Sequence, residues 1–433
     1  MNHVVIIGAG FGGLAAVKKL MRAKPANTKI TLIDQRNHHL FQPLLYQVAT
    51  AGLSPAEIAV PIRSIIRAGA RGVDVLMQRV VDIHSKTREI LFEDGQRVKY
   101  DQLILACGAS HSYFGNDTWE DQAPGLKTLE QATEIRRRIL EAFERAESTP
   151  DEAARRDFMT FVIVGGGPTG VELAGSIGEI SRQTLRKDFS RIEPHSARIV
   201  LIEAGKRILP SFSPELSRRA MRDLEKLGVT VWTSMRVTNV TADGVELGDE
   251  KVRAKTVLWA AGVKASDIGA KLGVPLDPQG RIEVDQDLRV KGFDNIFAIG
   301  DMARFTDERY GVLPGLAPVA MQQGRWVARN VLRTIESQPL LPFRYTDKGQ
   351  MATIGRKKAV SEFRGIRMTG LFAWLAWLFV HIYYLVGFRS RLFVLMQWIS
   401  SYVLFKRGAR LITGGDWHSR RIQSPPPKPV NQT

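Results

Sequence analysis

The 433-residue chain contains a single cysteine, Cys107. One thiol cannot form an intramolecular disulfide, and it cannot pass electrons through a pair of cysteine sulfurs. Acidic residues are also few, with 44 aspartates and glutamates against 61 lysines and arginines, for a formal net charge of +17. This imbalance indicates an anionic partner such as a lipid surface, an acidic protein or a nucleic acid. A solvated basic surface without a partner is the alternative.

The sequence leaves no room for a signal peptide ahead of its first apolar run, so we expect the protein to remain on the cytoplasmic side. Charged residues make up 24% of the chain and apolar residues 44%, which are the proportions of a globular protein. The length is sufficient for two or three domains with full cores. No nucleic-acid-binding motif accompanies the positive charge, and we therefore expect no nucleic-acid partner.

What the chain does contain is a glycine fingerprint at its beginning. The β-branched residues 4–7 lead into Gly8, Gly10 and Gly13, which are spaced as G-x-G-x-x-G and followed by a helix-periodic segment. This order predicts a strand, a tight turn and a helix whose N-terminus binds a pyrophosphate. Asp34, at the end of a second predicted strand, suits a ribose hydroxyl. An ordinary glycine-rich turn is the alternative interpretation.

The same device occurs a second time. Residues 161–164 form another apolar run, and Gly165, Gly167 and Gly170 repeat the glycine spacing. Glu203 ends the strand that follows, in the place that Asp34 has in the first copy. Two fingerprints, each with its acid, predict two dinucleotides bound by one chain.

The segments between and after the fingerprints complete this pattern. Residues 73–98 alternate as strands, with a hairpin turn at Asp94-Gly95, and residues 103–109 form a buried strand that residues 256–262 repeat. The strand 295–299 ends in Gly300-Asp301, which places a carboxylate at the carboxyl edge of a sheet. His38 and His39 are interpreted as surface groups rather than ligands.

The order of these pieces over residues 3–330 resembles the two-dinucleotide-binding flavoprotein oxidoreductases. The resemblance implies that the first fingerprint holds FAD, that the second holds a nicotinamide, and that Asp301 of the AIGD motif bonds the flavin ribityl chain. The single cysteine excludes the disulfide-reductase and sulfide:quinone branches, which move electrons through cysteine sulfurs. Electrons must then leave the flavin directly, to a quinone, a one-electron protein or oxygen.

The C-terminal region narrows the choice of acceptor. Residues 371–388 contain no charged side chain, Arg389 and Arg391 follow, and a second apolar stretch covers residues 392–405. Tryptophans and tyrosines suit the headgroup region of a bilayer, and basic residues suit anionic lipids. We expect two helices lying in the membrane interface. A transmembrane span, or a buried or dimerising helix, is the alternative. We expect one stripe of aromatic side chains, formed by Trp374, Trp377, His381, Tyr384 and Phe388, and Trp398 is the third tryptophan of the region.

With membrane contact added, the chain resembles type II NADH:quinone oxidoreductases, the single-subunit NADH dehydrogenases that do not pump protons. The motifs that carry this resemblance are residues 165–174 (GGGPTGVELA), 41–47 (FQPLLYQ), 317–324 (APVAMQQG) and 387–391 (GFRSR). The implied fold is α/β, with two Rossmann-like domains, the second inserted in the first, and C-terminal amphipathic membrane-anchoring helices. The implied activity is hydride transfer from NADH to FAD and then electron transfer to a membrane quinone.

The resemblance also implies the site residues. Glu172 is the catalytic carboxylate that assists quinone protonation or positions ligands, with a helix-start carboxylate of purely structural role as the alternative. No metal is expected. The FAD positions are Gly8, Gly10, Phe11, Gly12, Gly13, Asp34, Gln35, Gln42, Val80, Ala109, Asp301, Val319 and Ala320. The NADH positions are Gly165, Gly167, Thr169, Gly170, Glu203, Ala261 and Gly262, and the quinone positions are Gln47, Ala317, Gln322 and Gln323.

Two features leave alternatives open. The family pattern usually has glutamine after Ala317, whereas this chain has Pro318, which offers no side-chain amide. Gln322 or Gln323 is the candidate substitute, and a structural role for both is the alternative. Glu203 favours NADH because a carboxylate repels a 2′-phosphate, whereas neighbouring Lys206 and Arg207 keep NADPH as an option.

The predicted division of the chain follows from these assignments. Residues 1–125 and 266–345 form the FAD-binding domain, residues 126–265 the NADH-binding domain with a connecting helix, residues 346–415 a membrane-associated region and residues 416–433 a disordered basic tail. We expect a peripheral protein on the cytoplasmic face of the membrane, with a homodimer as a further option. The alternatives in function are an NAD(P)H-dependent reductase of a soluble acceptor such as a ferredoxin, or a membrane-bound NADH sensor.

Overall fold

The computed structural model describes residues 1–66, 73–404 and 409–413. The predicted tail of residues 416–433 lies outside these residues. The helices of the described part are α1 (Phe11–Ala23), α2 (Leu45–Ala49), α3 (Pro55–Ile58), α4 (Ile62–Ile66), α5 (Leu129–Ser148), α6 (Glu152–Phe158), α7 (Pro168–Glu179), α8 (Pro214–Glu225), α9 (Ala317–Ile335), α10 (Gly370–Tyr384) and α11 (Phe388–Leu404).

The strands of the same part of the chain are short and numerous. They are β1 (Asn2–Ile7), β2 (Thr28–Asp34), β3 (His38–Leu40), β4 (Ala59–Pro61), β5 (Val73–Met77), β6 (Val80–His84), β7 (Glu89–Phe92), β8 (Arg97–Lys99), β9 (Gln102–Leu105), β10 (Ala109–His111), β11 (Thr160–Val164), β12 (Arg198–Glu203), β13 (Val229–Thr233), β14 (Asn239–Thr241), β15 (Gly244–Leu247), β16 (Glu250–Arg253), β17 (Thr256–Trp259), β18 (Val263–Ala265), β19 (Ile282–Glu283), β20 (Ile296–Ala298), β21 (Ala303–Arg304), β22 (Thr306–Asp307), β23 (Gly311–Val312), β24 (Gln350–Gly355), β25 (Lys358–Phe363) and β26 (Ile366–Thr369).

The first module, which contains the N-terminal fingerprint, is built on a five-stranded parallel sheet in the order β20-β9-β1-β2-β5. Val4 lies opposite Ile30 on one side and Gln102 on the other. The strands are nearly all apolar because a parallel sheet is covered on both faces. Since every strand runs in the same direction, all five carboxyl ends meet at one edge.

The second module, which contains the second fingerprint, repeats this plan with four parallel strands in the order β13-β12-β11-β17. The chain leaves the first module through β10 and returns through β18, and these two strands pair antiparallel with Ala109 opposite Ala265. The first sheet then receives its last strand, β20, from after the return. The predicted α/β class, with one Rossmann-like unit inserted in another, is therefore confirmed.

The C-terminal region is a three-stranded antiparallel sheet, β24-β25-β26, followed by α10 and α11. Its first strand packs against α7 so closely that a Cβ atom on Gly175 would lie 1.8 Å from the carbonyl oxygen of Ile354. The absence of a side chain at Gly175 therefore allows this sheet to lie directly on the second module.

The two C-terminal helices bury one face and expose the other. Of the predicted stripe, Trp374, Trp377 and His381 lie on α10 and are buried against the protein, with Trp377 only 1% exposed, and Trp398 of α11 is buried as well. The stripe does not continue along one helix, because α10 ends at Tyr384 and Phe388 begins α11. The expectation that these tryptophans lie at the headgroups is therefore wrong, because they fill the contact between the helices and the rest of the molecule. The outward face is apolar too, and consists of Leu371, Phe372, Leu375, Phe379 and Tyr383 of α10 with Leu392, Phe393, Leu395, Met396 and Ile399 of α11. None of the described helices combines the length and the apolar character needed to cross a bilayer.

Candidate active site

The first glycine loop leaves an open cradle at the N-terminus of α1. Gly8 has φ +101°, and a Cβ atom there would lie 2.3 Å from the carbonyl oxygen of Ala106. A Cβ atom on Gly13 would lie 1.8 Å from the carbonyl oxygen of Gly8, whereas one on Gly10, the N-cap, would meet no protein atom within 4 Å. The space in front of Gly10 faces unpaired helix N–H groups, which is the surface that a diphosphate requires.

The second glycine loop repeats this geometry at the N-terminus of α7. Gly165 has φ +110° and approaches Ala260, and a Cβ atom on Gly170 would again lie 1.8 Å from a glycine carbonyl oxygen, that of Gly165. Gly167 is the N-cap of α7 and has no protein atom within 4 Å of an added Cβ. Both loops therefore leave the open space at a helix N-cap that a bound dinucleotide requires.

The acids that end the second strand of each module hold the glycine loops in place. Asp34 Oδ2 accepts a hydrogen bond of 2.7 Å from the backbone N–H of Ala9, and Glu203 Oε2 accepts one of 2.6 Å from the N–H of Gly166. Burial raises the pKa of the Asp34 carboxyl, although hydrogen bonds from backbone N–H groups oppose the shift. Each carboxylate has further lone pairs, which leaves it able to accept from a ribose hydroxyl as well.

Several of the predicted FAD positions lie at the carboxyl edge of the first sheet, because they follow different parallel strands. The glycine loop, with Phe11 and Gly12, follows β1, Asp34 and Gln35 follow β2, Val80 begins the strand after β5, Ala109 follows β9 and Asp301 follows β20. Gln42 is exposed and donates a long hydrogen bond of 3.4 Å to the carbonyl of Lys127. The predicted NADH positions Thr169, Ala261 and Gly262 join the second glycine loop in the same way, at the ends of β11 and β17.

Helix α9 covers the first cradle from the side of Asp301. A Cβ atom on Gly12 would lie 3.3 Å from the carbonyl oxygen of Ala320, and one on Gly300 would lie 3.1 Å from the Ala320 side chain. Pro318 stands in the first turn of α9, where no intrahelical partner exists for a backbone N–H. The departure from the family pattern is therefore compatible with the helix, although it removes an amide from this position.

The predicted quinone glutamines all have partners within the chain. Gln323 Oε1 accepts from the backbone N–H of Gly300 at 2.7 Å, so its amide fixes the turn before Asp301. Gln322 exchanges two hydrogen bonds with the backbone of Thr346, at 2.9 and 3.0 Å. Gln47 Oε1 accepts from the Trp398 indole N–H at 2.8 Å. Gln47 therefore lies with the C-terminal helices, whereas Ala317, Gln322 and Gln323 lie at the start of α9.

Glu172 lies in the second turn of α7, two residues after the last glycine of the second loop, so it is not a helix-start carboxylate. A hydrogen bond from the backbone of Thr353, in β24, reaches its carboxylate. Burial outweighs this bond and raises the pKa of the Glu172 carboxyl to about 8. The side chain can therefore hold a proton at neutral pH, which is the property that a proton donor requires.

The segment of residues 41–47, a 3-10 turn that leads into α2, connects the first cradle to the C-terminal helices. The Phe41 ring lies edge-on to Phe11, which begins α1, and edge-on to His381 of α10, with ring centroids 5.7 and 6.2 Å apart. The next contact is that of His381 with Trp377, whose rings stack at 4.1 Å. A continuous set of aromatic rings therefore runs from the glycine loop to the apolar helices.

Two residues at the candidate site, His39 and Thr353, were not predicted from the sequence to lie there. His39 is 2% exposed, and its Nδ1 is 2.9 Å from the carbonyl oxygen of Ala9, to which the ring N–H donates. The interpretation of His39 as a surface group is therefore wrong, and burial lowers its pKa to about 4. The hydrophobic residues around it were the available signal. Thr353 has no signal near Glu172 in the sequence, because only the packing of β24 on α7 brings the two together.

Two nucleotide cradles of one geometry, linked by an antiparallel ribbon, define an oxidoreductase of the two-dinucleotide-binding class. Residues 2–324 match the family model described as pyridine nucleotide-disulphide oxidoreductase, and residues 348–408 match the one described as the NDH2 C-terminal domain. Because the chain has one cysteine, the dithiol chemistry in the first description is not available to it.

Curated relatives and solved structures agree with these matches. The type II NADH:quinone oxidoreductase Ndh of Mycobacterium tuberculosis is 40% identical over 427 residues, which cover 95% of this chain and 90% of the relative. NdhA of the same organism, also a type II NADH:quinone oxidoreductase, is 41% identical over 440 residues, covering 98% and 92%. The structure of NDH2 from Plasmodium falciparum in complex with NADH superposes with a TM-score of 0.85 at 20% identity, covering 95% of this chain and all of that one. At that identity the likeness concerns the fold alone.

The chain therefore belongs to the type II NADH:quinone oxidoreductases. FAD and NADH are the cofactors of this family, and both cradles described above fit them.

Proposed function

We propose that this chain transfers hydride from NADH to FAD and passes two electrons to a membrane quinone, without pumping protons. The observation that carries the proposal is the segment of residues 41–47, in which the Phe41 ring contacts Phe11 at the first nucleotide cradle and His381 of the apolar C-terminal helices. A lipophilic acceptor held by those helices would lie next to the site that holds the cofactor. Bound flavin supplies the two-electron chemistry, and the protein orients the groups that react.

The cofactor residues of the proposal are those predicted from the sequence. FAD is held at the carboxyl edge of the first sheet, by the glycine loop, Asp34 and Asp301, within residues 1–125 and 266–345. NADH is held at the edge of the second sheet, by the second glycine loop and Glu203, within residues 126–265. Glu203 supports NADH over NADPH, because its carboxylate is fixed by the N–H groups of Gly166 and Gly205 where a 2′-phosphate would meet it.

Quinone is proposed to lie between the segment of residues 41–47 and the start of α9, near Gln47 and Ala317. The bonds of Gln322 to Thr346 and of Gln323 to Gly300 favour a positioning role for these two glutamines over direct contact with quinone. Glu172 is the proposed proton donor to the quinone oxygen, since its carboxyl combines a raised pKa with a place beside the second glycine loop.

Membrane association is proposed through the outward face of α10 and α11, within residues 346–415. Phe372 and Phe379 on this face are 74% and 73% exposed. An apolar face of this extent on a soluble surface indicates an interaction site. Arg389 carries positive charge next to it, whereas Arg391 is already bonded to the carbonyls of Leu385 and Tyr383 at the end of α10. We propose a peripheral protein on the cytoplasmic face, and a second copy of the chain is the other candidate for this surface.

Rapid mixing tests the proposed reaction. NADH should bleach the bound flavin, and a lipophilic menaquinone or ubiquinone analogue should restore its absorbance within each turnover. Quinone-independent restoration by ferredoxin that weakens steeply with salt would instead favour the soluble-acceptor reductase, because electrostatic docking is screened. Flavin bleaching without restoration by any acceptor would favour the sensor.

Vesicle flotation tests the proposed surface. Phe372→Glu combined with Phe379→Glu should abolish binding to vesicles that contain phosphatidylglycerol and slow turnover with a lipophilic quinone, while NADH still bleaches the flavin. Leu276→Glu, at an exposed apolar position of the first module, is the matched control and should bind as the wild type does. Deletion from residue 371 onward should have the same effect on membrane binding. Loss of a dimer, with vesicle binding retained, would assign this face to a second copy.

A further inference from the structure

A small cavity lies where the second module meets the C-terminal region. Its volume is about 70 Å³. Its walls come from four parts of the chain: α7 and the turn after it, residues of the segment 46–52, strand β24 and the two C-terminal helices. The apolar wall is formed by Trp374 and Trp398. The polar wall is formed by Ser176, Glu179 and Gln183.

The polar wall continues a row of side chains that begins at Glu172. Glu172, Ser176, Glu179 and Gln183 are spaced by four, three and four residues, which places them on one face of a helix. Helix α7 ends at Glu179 and continues as a π-helical turn, Ile180–Thr184, closed by a 2.9 Å bond from the Leu185 N–H to the Ile180 carbonyl. Such turns often mark functional sites, and this one adds Thr184 to the cavity wall.

The cavity adjoins Glu172 through Thr353. Thr353 lines the cavity, and its backbone is the group that bonds the Glu172 carboxylate. At the other end of the row, the backbone N–H of Arg356 donates to Glu179 Oε1, and Arg356 also lines the cavity. Glu179, a member of the row, and Arg356, in the turn between β24 and β25, are therefore charged residues that line this end of the cavity.

The volume of the cavity limits which molecules it can hold. An engineered apolar cavity that binds benzene has a volume of roughly 150 Å³. This cavity, at about 70 Å³, has less than half of that volume and does not match a quinone ring. It is large enough for two water molecules at about 30 Å³ each, and the polar wall offers them partners. Neighbouring positions in the row are about 5–6 Å apart at Cβ, a gap that one water bridges.

We propose that this cavity holds water and conducts protons from solvent to Glu172, with Ser176 and Glu179 as its positioning residues. The inference rests on the proposed function. Reduction of a quinone to a quinol takes two electrons and two protons. The hydride of NADH supplies both electrons and one proton, and the other comes from solvent. When the Glu172 O–H gives its proton to the quinone oxygen, a cavity water reprotonates the carboxylate, and the water regains its proton through Glu179.

Infrared spectroscopy tests the path without turnover. The protonated Glu172 carboxyl gives a C=O band that is identified by its absence in Glu172→Gln, and transfer to D₂O shifts that band as the proton exchanges. Glu179→Gln and Ser176→Ala should each slow this exchange at least about ten-fold, whereas Glu225→Gln, an exposed position of the same module, should leave it unchanged. If Glu179→Gln loses its flavin, Ser176→Ala, which removes only a hydroxyl group, decides the result.

Rapid mixing provides the second readout. In Glu179→Gln the bleaching of flavin by NADH should keep its wild-type rate, while reoxidation by quinone slows at least about ten-fold and azide, a small weak acid, restores it. Glu179→Asp should retain most of the reoxidation rate. Wild-type proton exchange together with wild-type reoxidation in both Glu179→Gln and Ser176→Ala would overturn the path. A wild-type protein that quinone does not reoxidise would instead overturn the proposed function.

Discussion

The two nucleotide modules have the same glycine loop, but different elements pack on the helix that follows it. In each, the first glycine has a positive φ, the second leaves open space at a helix N-cap, and the last lies so near its loop that a Cβ atom would be 1.8 Å from a carbonyl oxygen. In the first module α9 lies on α1, where a Cβ atom on Gly324 would be 2.1 Å from the carbonyl of Gly12. In the second module β24 lies on α7, through Gly175.

The side chain one turn into the helix also differs between the two modules. Ala15, one turn into α1, lies under α9 with its Cβ 3.2 Å from a Cβ built on Gly324. The equivalent position of α7 is Glu172, which is bonded by Thr353 of the covering strand. The comparison teaches that the same loop serves nucleotide binding in both modules. The residue one turn into the following helix, alanine or glutamate, determines whether a titratable group stands beside the loop, and the element packed on that helix buries and bonds it.

The largest expected effect comes from the third glycine of each loop. Gly13→Ala and Gly170→Ala both place a methyl group against a backbone carbonyl, and overpacking of this kind costs about 1–3 kcal/mol or more. We expect Gly13→Ala to be purified without flavin. Gly170→Ala should keep its flavin but lose bleaching by NADH, as absorbance spectra and rapid mixing will measure. Equal loss of flavin in both variants would show that the modules are not independent.

Glu172 is the point at which the modules differ most in chemistry. Glu172→Gln should slow reoxidation of the flavin by quinone roughly 100-fold, the usual contribution of a general acid, and affect bleaching by NADH less. Because the folded pKa is about 8, the wild-type carboxyl holds its proton below that pH and loses it above. The rate of quinone reduction should therefore fall as pH rises through about 8.

The pH profile contains its own control. In Glu172→Gln the fall above pH 8 should disappear, since no proton is lost from that position. The raised pKa also affects stability. Between about pH 4.5 and 8 the folded protein keeps the Glu172 proton that the unfolded chain has lost. As pH rises through this range, the free energy of unfolding should therefore fall in the wild type relative to the variant. If Glu172→Gln slowed the bleaching of flavin by NADH and its reoxidation by quinone equally, the role of Glu172 in protonation would be contradicted.

A smaller effect is expected at the second glycine of each loop. Gly10→Ala and Gly167→Ala add a methyl group that meets no protein atom within 4 Å, so thermal unfolding of the apoprotein should be unchanged. The methyl group would instead meet the bound pyrophosphate, and we expect affinity to fall about ten-fold, for FAD in the first variant and for NADH in the second. A large drop in the melting temperature would contradict the open cradle.

The smallest effect concerns the choice of nicotinamide. Glu203→Ala removes the carboxylate that would repel a 2′-phosphate, and we expect the preference for NADH over NADPH to fall about ten-fold, which corresponds to roughly 1.4 kcal/mol. Steady-state kcat/KM with both nucleotides measures it. Since the carboxylate also accepts from Gly166, affinity for NADH should fall as well. An unchanged preference would assign the discrimination to other residues.

The strands, the glycine loops and the inserted second module could be predicted from the sequence, because periodicity and glycine spacing report local backbone geometry. The C-terminal helices were also predictable as helices. The direction in which they face was not, since Trp374, Trp377 and Trp398 suit a headgroup layer and a protein interior equally well by composition. The individual site residues remain predictions, and for Gln322 and Gln323 the hydrogen bonds to Thr346 and Gly300 now favour positioning roles.

The sequence by itself determined that two dinucleotides are bound at the ends of parallel strands and that no cysteine pair carries the electrons. These properties depend on the steric requirements of a few consecutive residues and on a count of thiols. Only the tertiary structure decided that Thr353 bonds Glu172, that Trp398 bonds Gln47, and that a small cavity lies between them. These contacts join residues far apart in the chain, and they depend on how whole elements pack, which short-range sequence patterns do not encode.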